Sequence, residues 1–279
     1  MANPSLALKS VTVRHKSGCS QCTNNAESLV KNRCPRCGAI YAVRDVSLDV
    51  YPGEILGIVG ESGSGKTTLM KLMYLDMYDA HIEGAYHLNC YENGQTNILG
   101  CSAAQRKHIR NHLLGMVYQN PHLGLRMAFS ASANVAEKLI AAGNRNVASM
   151  MGRTEELLTH MEVPASRLKE PPMYFSGGMQ QRVQIAKAVA NNPPVLLLDE
   201  VTTGLDLSVQ AKVLDLVRRT QRELGITMVV VSHDLAVIRL LADRTLVMLD
   251  GRVVERGLTD QILEDPQHPY TQTLVHSLL

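Results

Sequence analysis

The segment Gly60-Glu-Ser-Gly-Ser-Gly-Lys66-Thr67 constrains this chain more than any other stretch. It has the form G-x-x-x-x-G-K-[ST], follows the apolar run ILGIV and leads into TTLMKLM. A continuous apolar run reads as a strand covered on both faces. The residues from about Thr67 read as a helix. A glycine-rich turn between such a strand and a helix start binds phosphate, because backbone N–H groups converge there and the helix dipole favours an anion. The motif assigns Lys66 to the β- and γ-phosphates and the Thr67 hydroxyl to Mg²⁺. Glu61, Ser62, Gly63, Ser64, Gly65 and Thr68 complete the cradle.

The rest of the chain alternates strand and helix patterns, which implies a parallel α/β sheet. LALKSVTVRH and AVRDVSLDV, before the loop, read as strands, and residues 80–102 as an irregular sheet insertion with turns at Gly84, Asn93-Gly94 and Gly100. LLGMVYQN reads as a short strand ending at Gln119, and Ala131 to about Glu162 as helical. SGGMQQRVQIAKAVANN reads as a helix capped by Ser176. VLLLDE is an apolar strand that ends in Asp199-Glu200. Acids at the carboxyl end of a central strand lie where ligands bind in α/β sheets, so Asp199 suits Mg²⁺ held through water and Glu200 suits a general base. VVVSHD delivers Ser232 and His233 from another apolar strand, and TLVMLDGRVVERG reads as the last one.

Composition narrows the setting. A chain of 279 residues with 45% hydrophobic and 19% charged residues reads as a globular fold, and a net charge of +2 supplies no global field for nucleic acid or membrane. No apolar run is long enough to span a bilayer, and the MANPSLALKS start does not read as a signal peptide. The expected location is the cytoplasm, where paired cysteines favour metal over disulfide. Two C-x-x-C pairs, Cys19/Cys22 and Cys34/Cys37, stand eleven residues apart. They suit a tetrahedral Cys₄ site, and CPRCG resembles a zinc-ribbon knuckle. Zinc is the first reading; free thiols and a rubredoxin-type iron site are the alternatives. Cys90 and Cys101 lack such spacing and read as ordinary residues.

Taken together, the phosphate loop, Gln119, FSGGMQQR, VLLLDE, TTGLD and VVVSHD resemble the ATP-binding-cassette ATPases over essentially the whole chain. The resemblance implies one cassette domain over 1–279: a parallel core sheet, an antiparallel β subdomain and a helical subdomain at about 120–175. The cysteine module at 15–40 is then an insertion between two strands of the antiparallel subdomain. It also implies a nucleotide-sandwich dimer that hydrolyses ATP, the second subunit being a copy or a paralogue. Gln119 would touch Mg²⁺ and sense the partner. Ser176, Gly177 and Gly178 would bind the γ-phosphate in trans, Asp206 would lie at the dimer seam and His233 would contact the γ-phosphate. Three positions depart from the family pattern: Met179 stands where Gln is usual, Val201 stands where Pro is usual, and His15 occupies the adenine-stacking place usually held by an aromatic. Tyr41 is the fallback for stacking; either ring could instead pack against the cysteine module.

Within the family, the tail DPQHPYTQTLVHSLL and the SGGM signature look like oligopeptide and dipeptide importer ATPases and like the ATP-binding subunit associated with carbon–phosphorus lyase. YQNPHLGLR, NVAEKLIAAGNR and GLTDQILEDPQHPYTQ favour the second. That resemblance implies a soluble lyase core as partner and the importer reading implies membrane permease subunits; in either case the docking surface should lie between Gln119 and Ser176. Zinc modules also occur in DNA-repair cassettes, but the weak charge and single cassette argue against nucleic acid.

Overall fold

The computed structural model describes residues 3–24, 29–77 and 80–276. The chain forms two compact units, one comprising Met1–Cys101 with Val230–Leu279 and the other Ser102–Val229.

The first unit opens with β1 (Leu6–His15). A single helical turn, α1 (Ser20–Asn24), begins the cysteine module, which returns to β2 (Ile40–Val50). Next come β3 (Ile55–Val59), α2 (Lys66–Met73) and β4 (His81–Leu88). β1 pairs antiparallel with β2 on one side and β4 on the other. Leu6, Leu8, Val11 and Val13 of β1 are buried, so this sheet rests on a core face of its own. The 80–102 insertion is more regular than the glycines suggested: β4 pairs along most of its length with β1.

The second unit contains α3 (Ala103–His112), β5 (Leu114–Val117), α4 (Pro121–Gly124), α5 (Ala131–Ala141) and α6 (Val147–His160). These are followed by α7 (Gly177–Val189), β6 (Val195–Asp199), α8 (Leu207–Leu224) and β7 (Thr227–Val231), whose last two residues belong to the first unit. Here β5 and β6 are parallel and β7 lies next to β6. Every residue of the three strands is buried. The helical pattern from Ala131 to about Glu162 resolves into two helices. Gly143, with φ 92, ends the first, and the Asn146 side chain caps the second by accepting from Ser149 N–H.

The chain then completes the first unit with α9 (Leu235–Leu241), β8 (Arg244–Leu249), β9 (Arg252–Leu258), α10 (Thr259–Glu264) and α11 (Pro269–His276). β8 runs parallel to β3 and antiparallel to β9. The expected single strand TLVMLDGRVVERG is therefore a hairpin. Asp250 and Gly251 both take left-handed backbone, with φ 48 and 79, which is what a two-residue hairpin turn requires.

Candidate nucleotide site and cysteine cluster

The phosphate loop is seated between β3 and α2 of the first unit. Ser232 N–H donates to the Ile58 carbonyl at 3.2 Å, so the end of β7 lies beside the strand that feeds the loop. His233 follows and is exposed, while Asp234 caps α9. Gly60 and Gly65 pack too closely for a side chain: a Cβ would collide with the Met248 carbonyl at Gly60 and with the Ala42 carbonyl at Gly65. Gly65, with φ 105, is also the N-cap of α2, so no side chain covers that helix end. The Lys66 ammonium is buried in the curl of its own loop, donating to the carbonyls of Gly60 at 2.7 Å and Glu61 at 2.8 Å. Thr67 and Thr68 follow in the first turn of α2. A cradle of close-packed glycines, a helix start and a buried cation fits a polyphosphate.

One contact to the loop comes from far along the chain. Glu61 N–H donates to the Tyr270 hydroxyl at 2.8 Å. Tyr270 is held by the turn before α11: Glu255 of β9 accepts from Gln267 N–H and His268 N–H, and His268 Nδ1 faces Tyr270 N–H at 3.1 Å. Burial pushes the Tyr270 phenol up, which keeps it neutral. The QHPY stretch thus folds into a clamp on the phosphate loop.

In the second unit, Asp199 is buried at the end of β6 and Glu200 follows at φ 47. Gln119 Nε2 donates to Glu200 Oε2 at 2.8 Å, uniting two of the sequence candidates. Thr203 Oγ1 donates to the same oxygen at 3.3 Å. Behind them stand two residues the sequence reading passed over. Gln184 exchanges hydrogen bonds with the Tyr118 backbone, accepting from its N–H at 2.7 Å and donating to its carbonyl at 3.1 Å, and Gln181 donates to the carbonyls of Tyr118 and Gln119. Both are buried on α7. Their i, i+3 spacing on an otherwise apolar face was the available signal, since a buried amide needs partners.

Ser176 caps α7 by accepting from Met179 N–H. Gly178 is buried where a Cβ would collide with Val209 of α8, so the double glycine brings that helix end close to its neighbour. Met179 sits beside Arg167, whose guanidinium approaches its sulfur at 3.7 Å. Val201 is buried, so the turn after Glu200 keeps an apolar anchor in place of proline. Asp206 caps α8 by accepting from Val209 N–H at 3.0 Å, and that bond, followed by Ser208, holds its carboxyl below the usual range.

The four cysteine sulfurs of the first unit converge within 4.8 Å of one another. Cys19 lies 3.8 Å from both Cys22 and Cys34, and Cys22 lies 3.7 Å from Cys37. A disulfide would need about 2.05 Å. Cys34 and Ala39 close the knuckle through a backbone hydrogen bond of 2.9 Å, with Gly38 left-handed at φ 71. The Cys37 thiol is drawn down to about 6, chiefly by the backbone N–H of Ala39. The Cys34 thiol also faces the N–H groups of Cys37 and Arg36, yet burial and its two thiol neighbours leave it raised. Cys90 is exposed and Cys101 buried, both outside the cluster. Tyr41, the fallback for stacking on adenine, is buried in this cluster and packs with Cys22, Cys34 and Ala39. His15, half-buried, ends β1 opposite Ile40.

With a phosphate cradle at the end of a buried strand and an Asp-Glu pair at the end of another, the molecule falls in the phosphate-loop class of nucleotide hydrolases. The ABC transporter family profile matches residues 43–203. Among curated relatives, the putative phosphonates utilization ATP-binding protein PhnK of Escherichia coli (strain K12) is 48% identical over 235 residues, covering 84% of this chain and 90% of that protein. The glutathione import ATP-binding protein GsiA of Escherichia coli O157:H7 is 36% identical over 241 residues, covering 85% of this chain and 39% of that protein. The solved dimeric cassette MJ0796, in a post-hydrolysis state with ADP and Pi, superposes with a TM-score of 0.75 at 31% identity, over 91% of this chain and 98% of that one. The chain belongs to the ABC transporter family and is an ATP-hydrolysing cassette that works with Mg²⁺. Among the described residues, no helix is long and apolar enough to cross a membrane.

Proposed function

We propose that this chain is the ATPase of a phosphonate-utilising system, acting in the cytoplasm on a soluble carbon–phosphorus lyase core. One observation carries the reading: the phosphonate-utilisation relative matches at 48% identity and is spanned almost end to end, whereas the importer relative is 36% identical and matched over 39% of its length. Lys66, the loop N–H groups and Thr67 would hold the triphosphate and its Mg²⁺, with Asp199 as a further carboxylate for that ion, which would neutralise charge on the phosphates. Glu200 takes the proton of the water that attacks the γ-phosphorus, as the bond to ADP breaks. Gln119, already bonded to Glu200, orients that carboxylate. His233 contacts the γ-phosphate; Ser176, Gly177 and Gly178 of a second subunit close over it, with Asp206 at the seam. Adenine stacking falls to His15, because Tyr41 is committed to the cysteine cluster.

The partner docks on the second unit, where a groove of about 950 Å³ is lined by Phe129, Ala133, Ile140, Val147, Met150 and Met151. Four of these are large apolar side chains left substantially exposed: Phe129, Ile140, Val147 and Met151. An apolar segment of the soluble lyase core is the occupant this reading requires. The cysteine cluster holds one structural zinc. Four sulfurs around a tetrahedral ion at the usual Zn–S distance stand about 3.8 Å apart, and the three measured separations are 3.7–3.8 Å. All four positions are filled by thiolate, so the ion supplies rigidity rather than an activated water.

Affinity capture tests the assignment. The tagged chain, expressed in its own host and recovered from a detergent extract, should bring down carbon–phosphorus lyase subunits. Recovery of peptide-permease membrane proteins without lyase subunits would replace this reading by the importer one.

A further inference from the structure

Tyr41, at the start of β2, contacts the cysteine module at one end and the turn that supports the phosphate loop at the other; Arg44 makes a second link, its Nη1 donating to the Lys31 carbonyl at 3.0 Å. At its side-chain end, the Tyr41 hydroxyl donates to the Cys22 carbonyl at 3.0 Å. Arg14 braces the ring, its guanidinium 5.7 Å from the ring centre and its Nη1 3.3 Å from the hydroxyl. The Tyr41 N–H donates to the Asn32 carbonyl at 2.8 Å, inside the module.

At its backbone end, the same residue supports the loop. The carbonyls of Tyr41 and Ala42 press on Gly251, where a Cβ would lie 2.8 and 3.0 Å from their oxygens. The Ala42 carbonyl also presses on Gly65, the residue before Lys66. Gly251 in turn donates its N–H to the Ser64 carbonyl at 3.0 Å and accepts from Arg44 N–H at 2.7 Å. Both glycines are left-handed and lie against these carbonyls with no side chain between, so the backbones are packed directly on one another. A displacement of Tyr41 by the module is therefore passed to the turn that carries Ser64, Gly65 and Lys66.

We propose that the Cys19–Cys22–Cys34–Cys37 site is a metal-dependent control element for nucleotide binding, acting through Tyr41. The proposal rests on the reading of the cluster as a metal site and goes beyond it. With metal bound, the module holds the Tyr41 hydroxyl on Cys22 and the phosphate loop is pre-shaped. Without metal, a module with a small core of its own loosens, Tyr41 loses its anchor, and the loop must be ordered by the nucleotide. Tyr41 is a positioning residue: it touches neither the phosphates nor the reacting water. Linkage makes the effect reciprocal, so bound nucleotide must tighten the metal by the same factor that metal tightens the nucleotide.

The test uses the full chain. Elemental analysis first measures zinc and iron per chain; no metal would end the metal-site reading itself, and this proposal with it. With metal present, the affinity for a non-hydrolysable ATP analogue is compared between loaded chain and chain stripped by a chelator under reducing conditions. The expected loss on stripping is about fivefold or more, the range of ordinary coupling between sites. In the reverse direction, extraction of zinc by a chromogenic chelator should be harder by the same factor when the analogue is bound. Tyr41→Phe keeps the ring and all four thiols but removes the bond to Cys22. In that variant zinc should still bind, and the two effects should shrink together, the Tyr41 N–H bond to Asn32 and the Arg44 bond to Lys31 being left in place. Stoichiometric metal with unchanged nucleotide affinity after stripping, or full coupling in Tyr41→Phe, would overturn the proposal. The reciprocal measurement on the unaltered chain stands even if the variant folds poorly.

Discussion

Glu200 adopts left-handed backbone, with φ 47, one residue beyond a strand buried along its whole length. A residue with a side chain pays of order 1–3 kcal/mol for such a conformation, so the surroundings must hold it. They do: Thr203 N–H donates to the Glu200 carbonyl at 3.1 Å, and Gln119 and Thr203 both donate to one carboxylate oxygen. The carboxylate is thus aimed by its neighbours. Tyr270 offers the cleaner single-residue test because its role depends on one oxygen atom. Tyr270→Phe removes the acceptor for Glu61 N–H and leaves the ring in place. Loss of one neutral hydrogen bond is about 1 kcal/mol, or about fivefold in affinity for an ATP analogue. The thermal midpoint of the half-exposed variant should stay close to that of the parent chain. Titration calorimetry reads the affinity, and an unchanged value would show that the clamp does not shape the loop.

At the scale of elements, the cysteine module is where sequence and packing meet. Replacing Cys34 and Cys37 by serine should abolish metal binding and open residues 16–40 to proteolysis, while the sheet of β3, β8 and β9 remains folded on the buried residues of β3 and β8. Limited proteolysis with mass analysis checks both halves; a protease-resistant 16–40 segment in the metal-free variant would contradict the structural role of the ion. The elements were legible in the sequence where their demands are local. The phosphate loop, the Ser176 cap and the apolar strands each need particular residues at fixed short spacing, and the structure has them at those positions. The helical pattern from Ala131 to about Glu162 does not show where its two helices divide, because the break is only a left-handed Gly143 and an asparagine cap. The hairpin at Asp250-Gly251 was read as one strand although the two residues carry a turn signal. The Tyr270–Glu61 bond spans 209 residues, and no local pattern announces a contact of that reach. Packing of Tyr41 on the cysteine module is the alternative that the sequence offers to adenine stacking, and its burial follows from the closing of the module rather than from its own neighbours.

The whole molecule presents its ATP machinery in separable parts: a phosphate loop on one unit, and an acidic strand end with a serine-capped double-glycine helix on the other. ATP hydrolysis by a nucleotide sandwich requires the double-glycine edge of one subunit to close over the phosphates held by another. MJ0796, similar to this chain over 91% of its length, is a dimer in its solved form with ADP and Pi. The Glu200→Gln variant isolates this requirement, because it should bind ATP with Mg²⁺ while turning over slower by orders of magnitude, so that the closed state accumulates. Light scattering on that variant is the most direct measurement. With Mg²⁺ and ATP the expected particles have twice the 30.6 kDa chain mass and revert to single chains with ADP. A variant that binds ATP yet stays at the single-chain mass, or that hydrolyses ATP at the parent rate, would contradict this reading.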